Sequence, residues 1–185
     1  AVNKCGSIGI SLIPIILVER QFSTAQSSMV LGLVRTGTLI GSFLGASAAA
    51  RLGNRSGVLI SYVLTGAALL VTSQSYQFLA LAFFAGLAAM GESMTQGPMR
   101  LLIFGSVAQK DKQEAMGWFR TASNAAQIVS FSVGSVFGGL GAAALMIFDG
   151  VTSFVAAIVG VKVLPDTPEV KAPERSVAPE SHIRK

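Results

Sequence analysis

Cysteine and histidine are almost absent from this chain, with Cys5 and His182 the sole examples among 185 residues. One cysteine excludes an intrachain disulfide, an iron–sulfur cluster and a thiolate zinc site. One histidine, set in a polar stretch, excludes histidine-based triads and the His-Glu-x-x-His metal motif. No metal site and no cofactor are expected. Charge is scarce as well: Asp, Glu, Lys and Arg make up 12% of the residues, against about 25% in an ordinary soluble domain. The apolar stretches hold one aspartate, Asp149, so the paired aspartates of an intramembrane protease are missing and enzymatic catalysis is not expected. What is abundant is apolar surface. The hydrophobic set reaches 51% before 20 glycines are counted, and mean hydropathy is +0.62. A polytopic membrane protein follows from these proportions.

Six apolar segments approach bilayer length, at 5–18, 29–50, 58–73, 77–103, 121–138 and 142–163. A helix needs about 20 residues to cross the hydrocarbon core, so the first is short. It reads as a helix whose beginning precedes Ala1. Lys4 before an apolar run also has the look of a signal peptide, but the run ends in Glu19-Arg20 without a small-residue cleavage site. Residues 1–164 are thus expected to form an all-α bundle of six transmembrane helices. Residues 165–185, rich in Pro, Glu and Lys, read as a flexible cytoplasmic linker or tail. Gly138-Gly139-Leu140-Gly141 predicts a tight reversal, and Tyr76 and Trp118 fall near span ends, where interfacial aromatics are favoured.

Six crossings place the loops alternately on two sides. One side collects Lys4, Arg51, Arg55, Lys110, Lys112, Arg120 and the basic residues from Lys162 to Lys185, while the other has Arg20 alone. The positive-inside rule then sets both termini in the cytoplasm. The net charge of +5 is accounted for by topology, and no nucleic-acid partner is expected, since no basic patch interleaves with aromatics.

Two segments carry small residues every fourth position, which aligns them on one helix face. These are Gly37, Gly41, Gly45 and Ala49, and then Ala122, Ala126, Ser130, Gly134 and Gly138. Such faces allow close backbone approach, either within this bundle or against a partner bundle. Besides Asp149 and Lys162 of the last segment, three charged residues lie inside segments: Arg35, Glu92 and Arg100. A charge at the bilayer centre costs on the order of 2.5–3.5 kcal/mol on insertion scales, and the residues that bear it mark ion or substrate pathways. Glu92 and Arg100 are about 12 Å apart along one helix, too far to pair. Arg35 and Glu92 could pair across helices or share a wet cavity. Gly97-Pro98 is expected to kink the fourth helix between Glu92 and Arg100. Asp149 lies shallower and reads first as a structural or helix-end residue.

The succession of six spans resembles one half of a major facilitator superfamily transporter. Residues Ala46 to Arg55 are similar to the family's G-x-x-x-D-R-x-G-R-R signature between the second and third helices, matching at Arg51, Gly53 and Arg55, with Ala46 and Ala50 at the Gly and Asp positions. Gly134-Ser135-Val136-Phe137-Gly138-Gly139 resembles the antiporter motif G-P-x-x-G-G, with Ser135 in place of Pro. Gly86 matches the glycine of R-x-x-x-G, where Ala82 takes the Arg position. The run from Phe148 to Phe154 is similar to the start of the sixth helix in the drug-exporter branch. Degraded signatures also fit a second half, but the antiporter-like glycines and Phe148-Asp149-Gly150 favour the first.

The resemblance implies inverted repeats and alternating access by two six-helix halves rocking about a central site. It implies a bacterial inner-membrane location, a lipid bilayer environment, a small-molecule substrate and a second six-helix half. The expected function is proton-coupled efflux of small organic molecules by a half or fragment of a secondary transporter. Glu92, tuned by Arg35 or Arg100, is the candidate proton or cation site, and Arg51, Gly53 and Arg55 form the candidate cytoplasmic gate. A transport-inactive half that scaffolds another membrane subunit is the alternative, favoured by Ala50 and Ala82.

Overall fold

The computed structural model describes residues 8–136 and 138–164. Lys4 and Cys5 at the head of the first segment, Phe137 and the tail 165–185 lie outside the described residues. A 3-10 turn, Gly9–Leu12, runs into α1 (Ile13–Glu19). There follow α2 (Thr24–Leu52), α3 (Asn54–Gln74), α4 (Phe78–Met94), α5 (Gln96–Ser106), α6 (Lys112–Val136) and α7 (Ala142–Val163). The helices α4 and α5 together form the fourth expected span. Among the described residues, four stretches are long and apolar enough to cross a membrane: Thr24–Leu52, Asn54–Gln74, Phe78–Ser106 and Ala142–Val163. Gly9–Glu19 is a shorter apolar helix.

Local chemistry explains where the helices begin and bend. At the head of α2, Ser23 Oγ accepts from the Gln26 N–H at 3.3 Å and Gln26 Oε1 accepts from the Ser23 N–H at 3.0 Å, a reciprocal capping box. Hydroxyls within the spans bond back to their own helices, as Thr38 does to the Val34 carbonyl, Thr65 to Ser61 and Thr72 to Ala68. Lipid supplies no partner for a hydroxyl, so this internal bonding is required. The fourth span breaks at Thr95, one turn before the proline. Pro98 has no N–H for the Met94 carbonyl, and the Thr95 N–H turns back to the Glu92 carbonyl at 3.3 Å. The helix is thus interrupted between Glu92 and Arg100, at the residue that follows Met94, whose carbonyl the proline leaves without a donor.

Close backbone approach organises the packing. Carbons built at Cβ on Gly37, Gly41 and Gly45 would collide with the carbonyl oxygens of Gly86, Met90 and Met94 respectively. Both helices advance in steps of four, so α2 lies parallel to the fourth span. The small-residue face of α2 therefore packs inside this bundle, not against a partner. Met94, stripped of its donor by Pro98, presents its carbonyl to Gly45, a geometry suited to a weak Cα–H···O contact. On the other side, α3 and α7 run antiparallel: Gly66 meets Gly150, and Leu59 meets Gly160.

Two apolar cores result. The larger gathers Ile13, Ile16 and Leu17 of α1 with Leu69 of α3, Leu81, Ala85 and Ala88 of α4, and Met146 of α7. The smaller, near the basic loops, joins Val58 and Tyr62 to Leu102, Ala156 and Ala157. The outlier is α6, which touches α5 and the turns at its own ends and leaves Trp118, Ile128, Phe131 and Val136 exposed.

Candidate functional site

Glu92 is the central residue of the 29-residue stretch Phe78–Ser106 and is half-buried. It continues the α4 face of Leu81, Ala85 and Ala88, spaced eleven, seven and four residues before it, which belongs to the core shared with α1. Arg35 is exposed on α2. The parallel register that sets Gly37 against Gly86 puts Arg35 level with Phe84, about 12 Å short of Glu92 at 1.5 Å per residue. Arg100 is exposed beyond the break at Thr95. The structure thus brings none of these three charges directly together: Glu92 faces inward at mid-span, and the two arginines stand towards opposite ends.

A second carboxylate is more deeply enclosed. Asp149 of α7 is 4% exposed, and its Oδ2 accepts the Gly9 N–H at 2.6 Å. A helix start offers N–H groups without intrahelical partners, and an anion there is favoured by the helix dipole. Ser153, one turn further on the same face, is 1% exposed, and its Oγ is buried without a hydrogen-bond partner. Asp149 was expected to serve a structural or helix-end role at a shallow position; it lies instead within α7, buried, and bonds the start of another helix, a partner 140 residues away in sequence.

The candidate gate is a one-residue turn. Gly53 ends α2 and caps α3 at φ +85° and ψ 154°, a left-handed conformation that costs other residues steric strain. Gly141 repeats it at φ +84° and ψ 158° before α7. Both have open space where a Cβ would stand, so glycine is needed for backbone freedom alone. The turns occupy matching places, second helix to third and fifth to sixth. Arg55 donates through Nη2 to the Val161 carbonyl in the last turn of α7, while Arg51 is exposed. Gly134 and Ser135 fall within α6, and Gly138 and Gly139 lie in the 3-10 turn Gly138–Leu140 that precedes Gly141, forming the expected reversal.

The opposite face has a bracket that the sequence did not advertise. Arg20 donates to the carbonyls of Thr72, Ser73 and Ser75 at the end of α3 and stacks 4.6 Å from the Tyr76 ring centroid. Its neighbour Glu19 accepts the Ala142 N–H at the head of α7 at 3.3 Å. Each charge thus meets the helix end of opposite dipole sign. Burial pulls the Arg20 guanidinium below its ordinary pKa, while Tyr76 and Glu19 push it back up.

The sequence reading also passed over a polar stripe on α6. Gln113, Arg120, Asn124 and Gln127 share one side of the helix by their spacing; the first three are exposed and Gln127 is half-buried. Spacings of three, four and seven among polar residues would have revealed it. Lipid does not tolerate amides at mid-span, so Asn124 and Gln127, the deeper part of the stripe, require water or protein against them.

Parallel and antiparallel apolar helices, inward intramembrane carboxylates and two matching glycine turns define a multi-pass helical bundle. The chain belongs to the Major Facilitator Superfamily, whose family model matches residues 5–184. No curated protein matches the chain. As a member of that family it is an integral membrane protein of the transporter class, in contact with lipid and acting on a small molecule.

Proposed function

We propose that this bundle is one half of a proton-coupled exporter of small organic molecules, working against a second six-helix half with both termini cytoplasmic in a bacterial inner membrane. The observation that carries the reading is Glu92, a carboxylate held half-buried at the middle of a span, where an ionisable group is retained for ion or substrate handling. Arg35 and Arg100, one towards each end, set the field along its path. Exposed Asn124 and half-buried Gln127 of α6 supply a wet wall. Gly53, with Arg51 and Arg55, provides the turn at the cytoplasmic gate, and the glycines from Gly134 to Gly139 allow a close approach of the halves. Efflux is favoured over uptake by the likeness of that glycine run to the antiporter motif.

The test is flux driven by an imposed pH gradient in proteoliposomes bearing the complete transporter. Glu92→Gln is expected to abolish proton-driven efflux while leaving solute exchange. Undiminished coupled efflux in that variant would remove the role of Glu92. Ala50 and Ala82 favour a second reading, a scaffold half without transport, which predicts no flux under any gradient together with stable co-purification of another membrane subunit.

A further inference from the structure

Where α5 ends and α6 begins, a groove of about 400 Å³ is lined by Phe104, Lys112, Gln113, Met116, Gly117 and Arg120. We propose that it binds the phosphate headgroup of an anionic phospholipid. Its lining holds two cations and no carboxylate. The nearby acid Glu114 is turned aside, accepting from Trp118 Nε1 at 3.3 Å, and by helical spacing Glu114 and Trp118 lie on the other side of α6 from Lys112, Met116 and Arg120. The Lys112 ammonium stands 6.0 Å from the Phe104 ring centroid, at the outer reach of a cation–π attraction, which keeps the charge over the groove. Exposed Trp118, six residues into α6, marks the headgroup level, where indoles are favoured. Basic pockets between transmembrane helices at that level suit acidic headgroups. Met116 and Phe104 give the first acyl methylenes an apolar floor, and Gly117 leaves the groove open, with nothing near the place of a Cβ. A soluble phosphate would use the cations and forgo the floor.

The test is native mass spectrometry of the whole chain in mild detergent with equimolar phosphatidylglycerol and phosphatidylcholine of identical acyl chains. The wild type is expected to retain phosphatidylglycerol in roughly 10- to 30-fold preference, the order expected of two basic residues at a headgroup. Lys112→Gln with Arg120→Gln is expected to bring the two lipids to parity. Lys112→Arg with Arg120→Lys should keep most of the preference. Should the double neutralisation fail to fold, Gln113→Glu, which sets a carboxylate in the groove, is expected to abolish the preference by itself. Equal retention by the wild type overturns the proposal, as does an unchanged preference in the neutralised or Gln113→Glu chain. Displacement of the lipid by millimolar inorganic phosphate overturns it in favour of a soluble anion.

Discussion

At Gly41 a single hydrogen atom decides whether two helices can meet. A methyl there would strike the Met90 carbonyl and the Ser93 hydroxyl, and both belong to the helix that α2 packs against. Gly41→Ala is therefore expected to lower stability by about 1–3 kcal/mol, the usual cost of overpacking, seen as a lower melting temperature in detergent. Gly32→Ala, with open space around the site, is expected to leave the melting temperature unchanged or slightly raised. Asp149 offers a different comparison. Asp149→Asn keeps an oxygen that can accept the Gly9 N–H and should be tolerated. Asp149→Leu leaves a buried N–H without an acceptor, at a cost of about 1–3 kcal/mol. Equal melting temperatures for the two variants would show that the 2.6 Å bond contributes nothing to stability.

Among the elements, α6 departs furthest from an ordinary membrane span, and its two sides make opposite predictions. On a Cys5→Ser background, Asn124→Cys should react rapidly with a membrane-impermeant thiol reagent, whereas Val129→Cys, about 140° round the helix and so towards its other side, should react slowly. Equal rates would mean that the stripe does not face water. The bracket at the other end of the bundle predicts that Arg20→Gln lowers the melting temperature by freeing three carbonyls at the end of α3. The short elements were easily read in advance and the long-range ones were not. Six apolar runs, the proline break and the glycine reversal are local features, written within a few residues of where they act. The neighbour of the α2 glycine face was left open because a period of four says which side of a helix is small but not what meets it. The offset of Arg35 from Glu92 depends on the register of two helices separated by the whole of α3, and no spacing within either one contains it.

For the whole molecule, membership of the superfamily and a bundle with inward carboxylates set the class. The same physics explains what the sequence could not supply: Glu92 stood out because charge is rare in the spans, while Asp149 became prominent only when its burial and its bond to Gly9 were seen. The Glu19–Arg20 bracket has a further consequence in time. Glu19 and Ala142 are separated by 123 residues, so at a synthesis rate of about 5–20 residues per second the first helix waits roughly 6–25 s after leaving the ribosome before its last partner exists. During that interval Ile13, Ile16 and Leu17 lack the helix that completes their core, and Gly9 lacks its carboxylate. The early life of the Gly9–Glu19 helix in the bilayer therefore depends on whatever insertion machinery or lipid shelters it until the sixth helix arrives.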